Sequence, residues 1–263
     1  MKNISFENRG LLEGVNSPEG LYNRYGNIFL GLLSFIIIAG VLFYGPDTGL
    51  SDNGDFNRVM KACSLSDKSM DRAFRYIGEY RINYRGATAG EKLANLLFGT
   101  ENVRNYPSVQ LVFVRISVLV NVLLNYICGT DPEVYRMSVL GTIYAIICSI
   151  IMMGIFREIK IKSQVADFLS KILIIFILCD CGYITYFNSF YGEAVQILAL
   201  LLVVTGILRI INRNRLAGVD ILLIFSASVL YGWSKFAIYL QQSFVPSFHY
   251  LWQFRLQLRR ACL

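Results

Sequence analysis

The strongest constraint on the fold is a series of apolar stretches, each long enough for a helix to cross a membrane. Five such stretches occupy residues 27–44, 138–156, 167–187, 193–211 and 217–236. A hydrocarbon layer of ~30 Å needs about 20 apolar residues in a helix. Of the 263 residues, 55% are hydrophobic and only 16% charged, which is too little polar surface for a soluble globule. The sequence predicts an all-α, polytopic transmembrane protein of the cell membrane.

The positive charges indicate which way the chain is threaded. The formal net charge is +7, and the basic residues are spread over loops beside apolar stretches, where they normally set orientation. Cations before the first stretch place the N-terminal segment 1–26 in the cytoplasm and the long first loop, 46–107, outside. Cations at 157–162 and 213–215 place those two loops inside. This spread argues against nucleic acid as a partner, whereas membrane lipid is expected.

A sixth apolar stretch, 108–126, is long enough to cross but does not fit this threading. Its polar residues lie on one helical face: they are Gln110, Ser117, Asn121 and Asn125. Such a stripe suits a helix in the membrane interface or against other helices. We predict that 108–126 does not cross, which leaves five spanning segments in a domain at 27–236.

The last part of the chain, 237–263, differs in character from the rest. It mixes aromatic residues with arginines and contains Pro246, so it neither spans nor caps the bundle. The expectation is a chain cut short or altered in frame. Weak or no activity is expected of such a fragment.

Two acids follow the first stretch, in Asp-Asn-Gly-Asp-Phe at 52–56. One interpretation is structural: Asp55 or Ser51 caps a helix that begins near Phe56, and Asn-Gly forms a turn. The other is chemical: Asp52 or Asp55 acts as general base on a hydroxyl while its partner orients the acceptor or a divalent cation. The spacing does not match an EF-hand loop, no paired metal-ligand spacing is found, and a single histidine nearly excludes histidine-based sites.

A second polar group surrounds Asp180, which the pattern places inside an apolar helix with Tyr183 and Phe187 on its face. An acid in that position usually faces a cavity or a partner. Beyond the helix end come Asn188, Tyr191 and Glu193, typical of a sugar-binding surface. The alternative is an aromatic belt with Glu193 in the first turn of the next helix.

Two cations, Arg136 and Lys235, fall on the same side as the acids in this threading. They could hold a phosphate leaving group. The alternative is that both anchor helix ends by placing the charged tip in the headgroup region.

The motifs resemble those of a known enzyme class. An acidic motif in a long external loop, followed by an apolar helix ending in Cys-Gly-Thr-Asp-Pro-Glu-Val-Tyr-Arg at 128–136, resembles GT-C-type glycosyltransferases. Asp-Asn-Gly-Asp-Phe at 52–56 and Tyr-Phe-Asn-Ser-Phe-Tyr-Gly-Glu at 186–193 are more closely similar to the WsfD-like bacterial hexose transferases. The resemblance implies a polyprenyl-phosphate sugar donor, a glycan or lipid-linked acceptor, and Asp52 or Asp55 as base.

Residues alone leave a second class open. Intramembrane acids also mark transport pathways, so a lipid-sugar transporter or a non-catalytic membrane partner fits Asp180 if Asp52 and Asp55 only cap helices. Convergence of Asp52 or Asp55, Glu193 and a cation at one outward site would favour the enzyme. Acids spread across the bilayer would favour transport.

Overall fold

The computed structural model describes residues 18–44, 48–52, 56–67, 79–98 and 108–234, with side chains from residue 25 onward. The elements in chain order are α1 Pro18–Phe43, α2 Phe56–Ala62, β1 Leu65–Asp67, β2 Glu79–Ile82, α3 Ala89–Phe98, α4 Gln110–Cys128, β3 Val134–Arg136, α5 Met137–Glu158, α6 Gln164–Leu178, α7 Cys181–Ile184, a 3-10 helix Thr185–Asn188, α8 Glu193–Arg213 and α9 Gly218–Ser234. The predicted helical, polytopic fold is confirmed.

Helix α5 lies at the centre of the bundle, between α1 and α8, and α8 packs in turn against α9. Gly31 of α1 approaches Met153, whereas Leu42 approaches Gly141, so α1 and α5 run antiparallel. Among the described residues, four helices are long and apolar enough to cross a membrane. Their ranges are Tyr25–Phe43, Gln110–Cys128, Met137–Glu158 and Glu193–Arg213, and α9 is a shorter apolar helix.

The bundle has two distinct ends. At one, which we call the sheet end, α1 ends, α5 and α8 begin, and α9 ends beside Ser108, whose hydroxyl donates to the Ser234 carbonyl at 2.7 Å. At the other, the basic end, the Asn212 side chain of α8 donates to the Glu158 carbonyl at the end of α5. The positive-inside rule places the basic end in the cytoplasm.

Residues 164–188 extend from one end to the other, but not as the single helix that the sequence predicts for 167–187. Near the basic end, the Lys171 ammonium donates to Asn27 of α1 at 3.1 Å, and at the sheet end Asn188 reaches Leu42. The single-helix prediction is wrong because Asp180 ends α6 and caps α7, accepting from the Gly182 N–H at 2.7 Å. An aspartate oxygen can satisfy the free N–H groups of a new helix in this way.

The external segment contains a sheet that the sequence analysis did not predict. Three antiparallel strands pair in the order β1-β2-β3, with Tyr80 opposite Tyr135. Along β2, exposed and buried residues alternate, as expected for a strand with one face on a core. The two helical patches predicted in this loop, 56–60 onward and 91–98, are confirmed as α2 and α3.

The predicted polar stripe of α4 faces the protein interior. Gln110, Ser117, Asn121 and Asn125 are all buried. The Tyr144 hydroxyl donates to Gln110, and Ser117 shares a hydrogen bond with the Tyr135 hydroxyl. Asn121 and Asn125 each donate to the Val134 carbonyl, at 2.6 Å.

The position of α4 in the bundle follows from these contacts. Its N-terminal end lies beside Ser234 and its C-terminal part beside β3, and both belong to the sheet end. A crossing helix would carry one terminus to the basic end. Although length and composition would allow α4 to cross, the contacts favour the interfacial position that the sequence predicts.

Candidate functional site

Asp52 lies at the sheet end, in the segment that connects α1 to α2. Its side chain is partly buried, and Oδ1 accepts from the backbone N–H of Phe56, the first residue of α2, at 3.1 Å. Asp52 therefore satisfies an N–H at the start of α2, a role that the sequence analysis gave to Asp55 or Ser51. Asp55 itself lies outside the described residues. Capping engages the carboxylate without excluding it from chemistry, since a carboxylate has about four acceptor sites.

The second motif holds the segment that leads to Asp52. Asn188 is buried, and its Nδ2 donates to the carbonyl of Thr48 at 2.9 Å and to that of Leu42 at 3.4 Å. The Tyr191 hydroxyl donates to the carbonyl of Ser51 at 2.7 Å. Three backbone carbonyls that precede Asp52 are thus fixed by two side chains about 140 residues away in the sequence.

Aromatic packing fixes the chain on the other side of Asp52. Phe56 makes edge-to-face contacts with Phe190 and Tyr191, with ring centroids 5.2 and 4.9 Å apart. Phe190 also contacts Tyr80 of β2 and stacks on Tyr135 of β3, at 5.1 and 6.2 Å. We call these five residues the aromatic cluster. It joins α2, the sheet and the turn that precedes α8.

Two glycines permit the close approach of Asn188. A Cβ on Gly141 of α5 would lie 2.1 Å from Asn188 Oδ1, and one on Gly49 would lie 2.5 Å from the Asn188 carbonyl oxygen. Both distances are far below van der Waals contact, so a side chain at either position would force Asn188 to move. Asn188 Oδ1 is buried and has no hydrogen-bond partner within the described part of the chain.

The remaining residues of the second motif lie at the same end but are arranged differently from the prediction. Asp180 is exposed, so the prediction of a buried acid inside an apolar helix is wrong. Its shared face with Tyr183 and Phe187 is wrong as well, since Tyr183 is half exposed and Phe187 is fully buried against Tyr144. Glu193 is partly buried in the first turn of α8, as expected.

Arg136 links the sheet to α4. Its guanidinium donates to Asn125 Oδ1 at 3.1 Å and lies 3.7 Å from the Glu79 carboxylate. Its side chain remains about 42% exposed, so a solvent-side anion could still reach it. The other predicted cation, Lys235, lies outside the described residues.

Two titratable groups beside the aromatic cluster are held neutral. Burial raises the pKa of the Tyr135 hydroxyl, an effect that the hydrogen bond with Ser117 only partly offsets. Burial likewise raises the pKa of the Cys63 thiol to about 12, although the neighbouring Arg115 lowers it. Neither group therefore supplies a base or nucleophile at neutral pH.

Residues that could hold a metal do not form a cluster of three or more anywhere in the described ranges. The divalent cation suggested by the paired acids stays a prediction.

The sequence analysis placed Asn188 and Tyr191 at this end. It did not predict that their side chains donate hydrogen bonds to the backbone carbonyls that precede Asp52. It also missed Tyr80 and Tyr135, because the strands that carry them were not predicted. The alternation of apolar and polar residues in Glu79–Ile82 was an available signal, although four residues make it weak.

Comparison with known families completes the description. Residues 20–261 match the family described as the YfdI N-terminal transmembrane domain. The chain belongs to this family. The matched YfdI region includes both motifs of the sheet end and the four described helices that are long and apolar enough to cross a membrane, so the protein is a multi-pass membrane protein. No curated protein and no solved structure matches the chain. The narrower resemblance to WsfD-like hexose transferases stays a prediction.

Proposed function

We propose that the chain is the membrane part of a glycosyltransferase that moves a hexose from a polyprenyl-phosphate donor to a glycan or lipid-linked acceptor. One observation carries this proposal: the segment that carries the first-loop acid Asp52 is bound to the 186–193 motif at the sheet end, since Tyr191 contacts both the Ser51 carbonyl and the Phe56 ring. Membership in the YfdI transmembrane family supports a membrane glycosyltransferase at the level of broad class.

The chemistry requires a base at the membrane surface. Asp52 or Asp55 accepts the proton of the acceptor hydroxyl while the hydroxyl oxygen attacks the anomeric carbon from the face opposite the phosphate. The bond between that carbon and the phosphate oxygen breaks, and its electron pair leaves with the lipid phosphate. The sugar is thereby transferred with inversion. A positioned base typically contributes 10²- to 10⁴-fold in rate.

Other residues act around this step. Arg136 or Lys235 stabilises the charge of the departing phosphate, and Glu193 holds the sugar or acceptor. Asp180 and Tyr183, exposed near the same end, remain candidates for outer substrate contacts. We reassign Asn188 and Tyr191 from substrate binding to positioning, because their polar atoms bond the carbonyls that precede Asp52.

The transporter alternative finds less support. In the described spans, the acidic residues lie at helix ends, and none lies midway along a helix. Asp167 and Asp220 are both at the basic end and are each paired with a cation, Lys171 and Arg209. A transport route would require acids distributed across the bilayer depth.

A transfer assay tests the proposal. A full-length homologue in vesicles is given radiolabelled polyprenyl-phosphate hexoses and a mixed glycan acceptor pool, and the changes equivalent to Asp52→Asn and Asp55→Asn are compared with wild type. One of the two changes should lower the rate by roughly 10²- to 10⁴-fold. Asp131→Asn is the matched control, since Asp131 is an exposed carboxylate that also bonds a backbone N–H, that of Glu133.

The outcomes separate the claims. Undiminished transfer in both aspartate variants would show that neither Asp52 nor Asp55 is the general base. Transfer from a nucleotide sugar but not from a polyprenyl-phosphate hexose would contradict the proposed lipid-linked donor.

A further inference from the structure

The basic end carries exposed cations from two loops that meet in space. The contact between Asn212 and Glu158 joins the end of α8 to the end of α5. This contact brings the loop after α5 beside the loop after α8. The exposed cations of the two loops are Arg157, Lys160, Lys162, Arg213 and Arg215. We call them the basic collar.

The acids of this end are already neutralised inside the bundle. Lys171 lies 2.6 Å from Asp167, and both are buried. Asp220 is fully buried and lies 2.9 Å from Arg209. Burying a carboxylate is tolerated only with such a partner. These two acids therefore have little capacity left to balance the collar.

A positive surplus remains on the surface. Among the residues of this end whose side chains the structure describes, the five collar cations are opposed by one further carboxylate, Glu158, which leaves a surplus of four positive charges. The nearest link from the collar to an internal acid is weak, since Arg213 lies 3.9 Å from Asp220. Within these described side chains no further carboxylate balances the collar, and the anionic headgroups of the surrounding leaflet can supply the counter-charge.

Apolar side chains are interleaved with the collar. Ile161, between Lys160 and Lys162, is 44% exposed, and Ile211 and Leu216, on either side of Arg213 and Arg215, are 55% and 44% exposed. Cations alternating with exposed aliphatics fit the boundary where phosphate headgroups meet acyl chains.

We propose that the basic collar binds the phosphodiester headgroups of anionic phospholipids in the leaflet that surrounds the basic end. The lysines and arginines contact the phosphates while Ile161, Ile211 and Leu216 enter the acyl boundary. This property is independent of glycosyl transfer. The protein would be surrounded by a selected lipid at this end while its candidate site faces the opposite leaflet.

Lipid selectivity tests the proposal. The full chain is reconstituted in phosphatidylcholine bilayers with spin-labelled phosphatidylglycerol or spin-labelled phosphatidylcholine, and the immobilised fraction of each probe is measured. Wild type should prefer phosphatidylglycerol several-fold at low salt, with less preference at high salt. Lys160→Gln with Lys162→Gln should remove most of this preference and bring the ratio of the two immobilised fractions close to one.

A matched control removes the same charge elsewhere. Lys61→Gln with Lys92→Gln deletes two exposed cations of the external segment and should leave the preference unchanged. Equal immobilisation of the two probes by wild type would overturn the proposal. So would an equal loss of preference in the control and collar variants, which would show that net charge alone is sensed.

Discussion

At the sheet end, the chain before Asp52 is held by hydrogen bonds from Asn188 and Tyr191 to backbone carbonyls, and by aromatic rings. At the basic end lie two ion pairs with buried carboxylates: Asp167 with Lys171 within α6, and Asp220 of α9 with Arg209 of α8. The difference indicates different tasks. The ion pairs of the basic end neutralise acids within the helices, whereas at the sheet end hydrogen bonds to carbonyls and aromatic packing hold the backbone on either side of Asp52.

The largest effect is expected from removing the ring at the centre of the aromatic cluster. Phe190→Ala deletes a buried ring that contacts Phe56, Tyr80 and Tyr135, and should lower the free energy of unfolding by about 3–5 kcal/mol. Steric trapping in bicelles measures this quantity. Phe176→Ala, a 72% exposed phenylalanine of α6, is the control and should cost far less. Equal losses would show that the cluster does not organise the sheet end.

A smaller but still large effect is expected at the basic end. Asp220→Asn leaves the Arg209 guanidinium without its carboxylate and should cost about 3 kcal/mol in the free energy of unfolding. Asp180→Asn, at an exposed helix cap, should cost about 1 kcal/mol or less. If Asp220→Asn lowered the free energy of unfolding no more than Asp180→Asn, ion pairing would not be what stabilises the basic end.

Gly141→Ala tests the close approach of Asn188 to α5. The added methyl group would lie 2.1 Å from Asn188 Oδ1, so Asn188 should move and its bond to the Thr48 carbonyl should weaken. We expect a loss of about 1–3 kcal/mol in the free energy of unfolding and faster hydrogen exchange in the peptide 48–56. Gly40→Ala, where a Cβ meets nothing within 4 Å, is the control. Unchanged exchange in Gly141→Ala would contradict the role of Asn188.

The smallest effect concerns a thiol at the sheet end. Because burial raises the pKa of Cys63 to about 12, its thiol stays protonated from neutral pH up to about pH 10 and should not be alkylated in the folded protein. The exposed Cys128 and Cys181 should react under the same conditions. Mass spectrometry after iodoacetamide treatment separates the three sites. Rapid alkylation of Cys63 at pH 8 would show that this region is open.

The sequence predicted much of the bundle because apolar length and helical periodicity are local signals. The spans at 27–44, 138–156 and 193–211, and the buried polar stripe of α4, follow from such patterns. The break at Asp180 was missed although aspartate is one of the residues that favour a helix N-cap. Apolarity on both sides of Asp180 outweighed that signal.

The sheet and the joining of the two motifs could not be predicted in the same way. The β2 and β3 strands pair across about 50 residues and contain four and three residues, too few for a clear alternation. The bond from Tyr191 to Ser51 depends on where α1 and α8 are packed, not on either local sequence. The sequence could place both motifs at one end. It could not show whether a polar residue there binds substrate or donates a hydrogen bond to a backbone carbonyl, as Asn188 and Tyr191 do.

The central claim is that the 186–193 motif acts through Asp52, and a double-mutant cycle on transfer rate tests it most directly. Asp52→Asn should lower transfer by roughly 10²- to 10⁴-fold, and Tyr191→Phe, which keeps the ring but frees the Ser51 carbonyl, by about tenfold. If Tyr191 only positions Asp52, the double variant should be no slower than Asp52→Asn alone. Tyr44→Phe, the loss of an exposed hydroxyl beside the same segment, serves as the control. Multiplicative losses in the double variant would contradict the account.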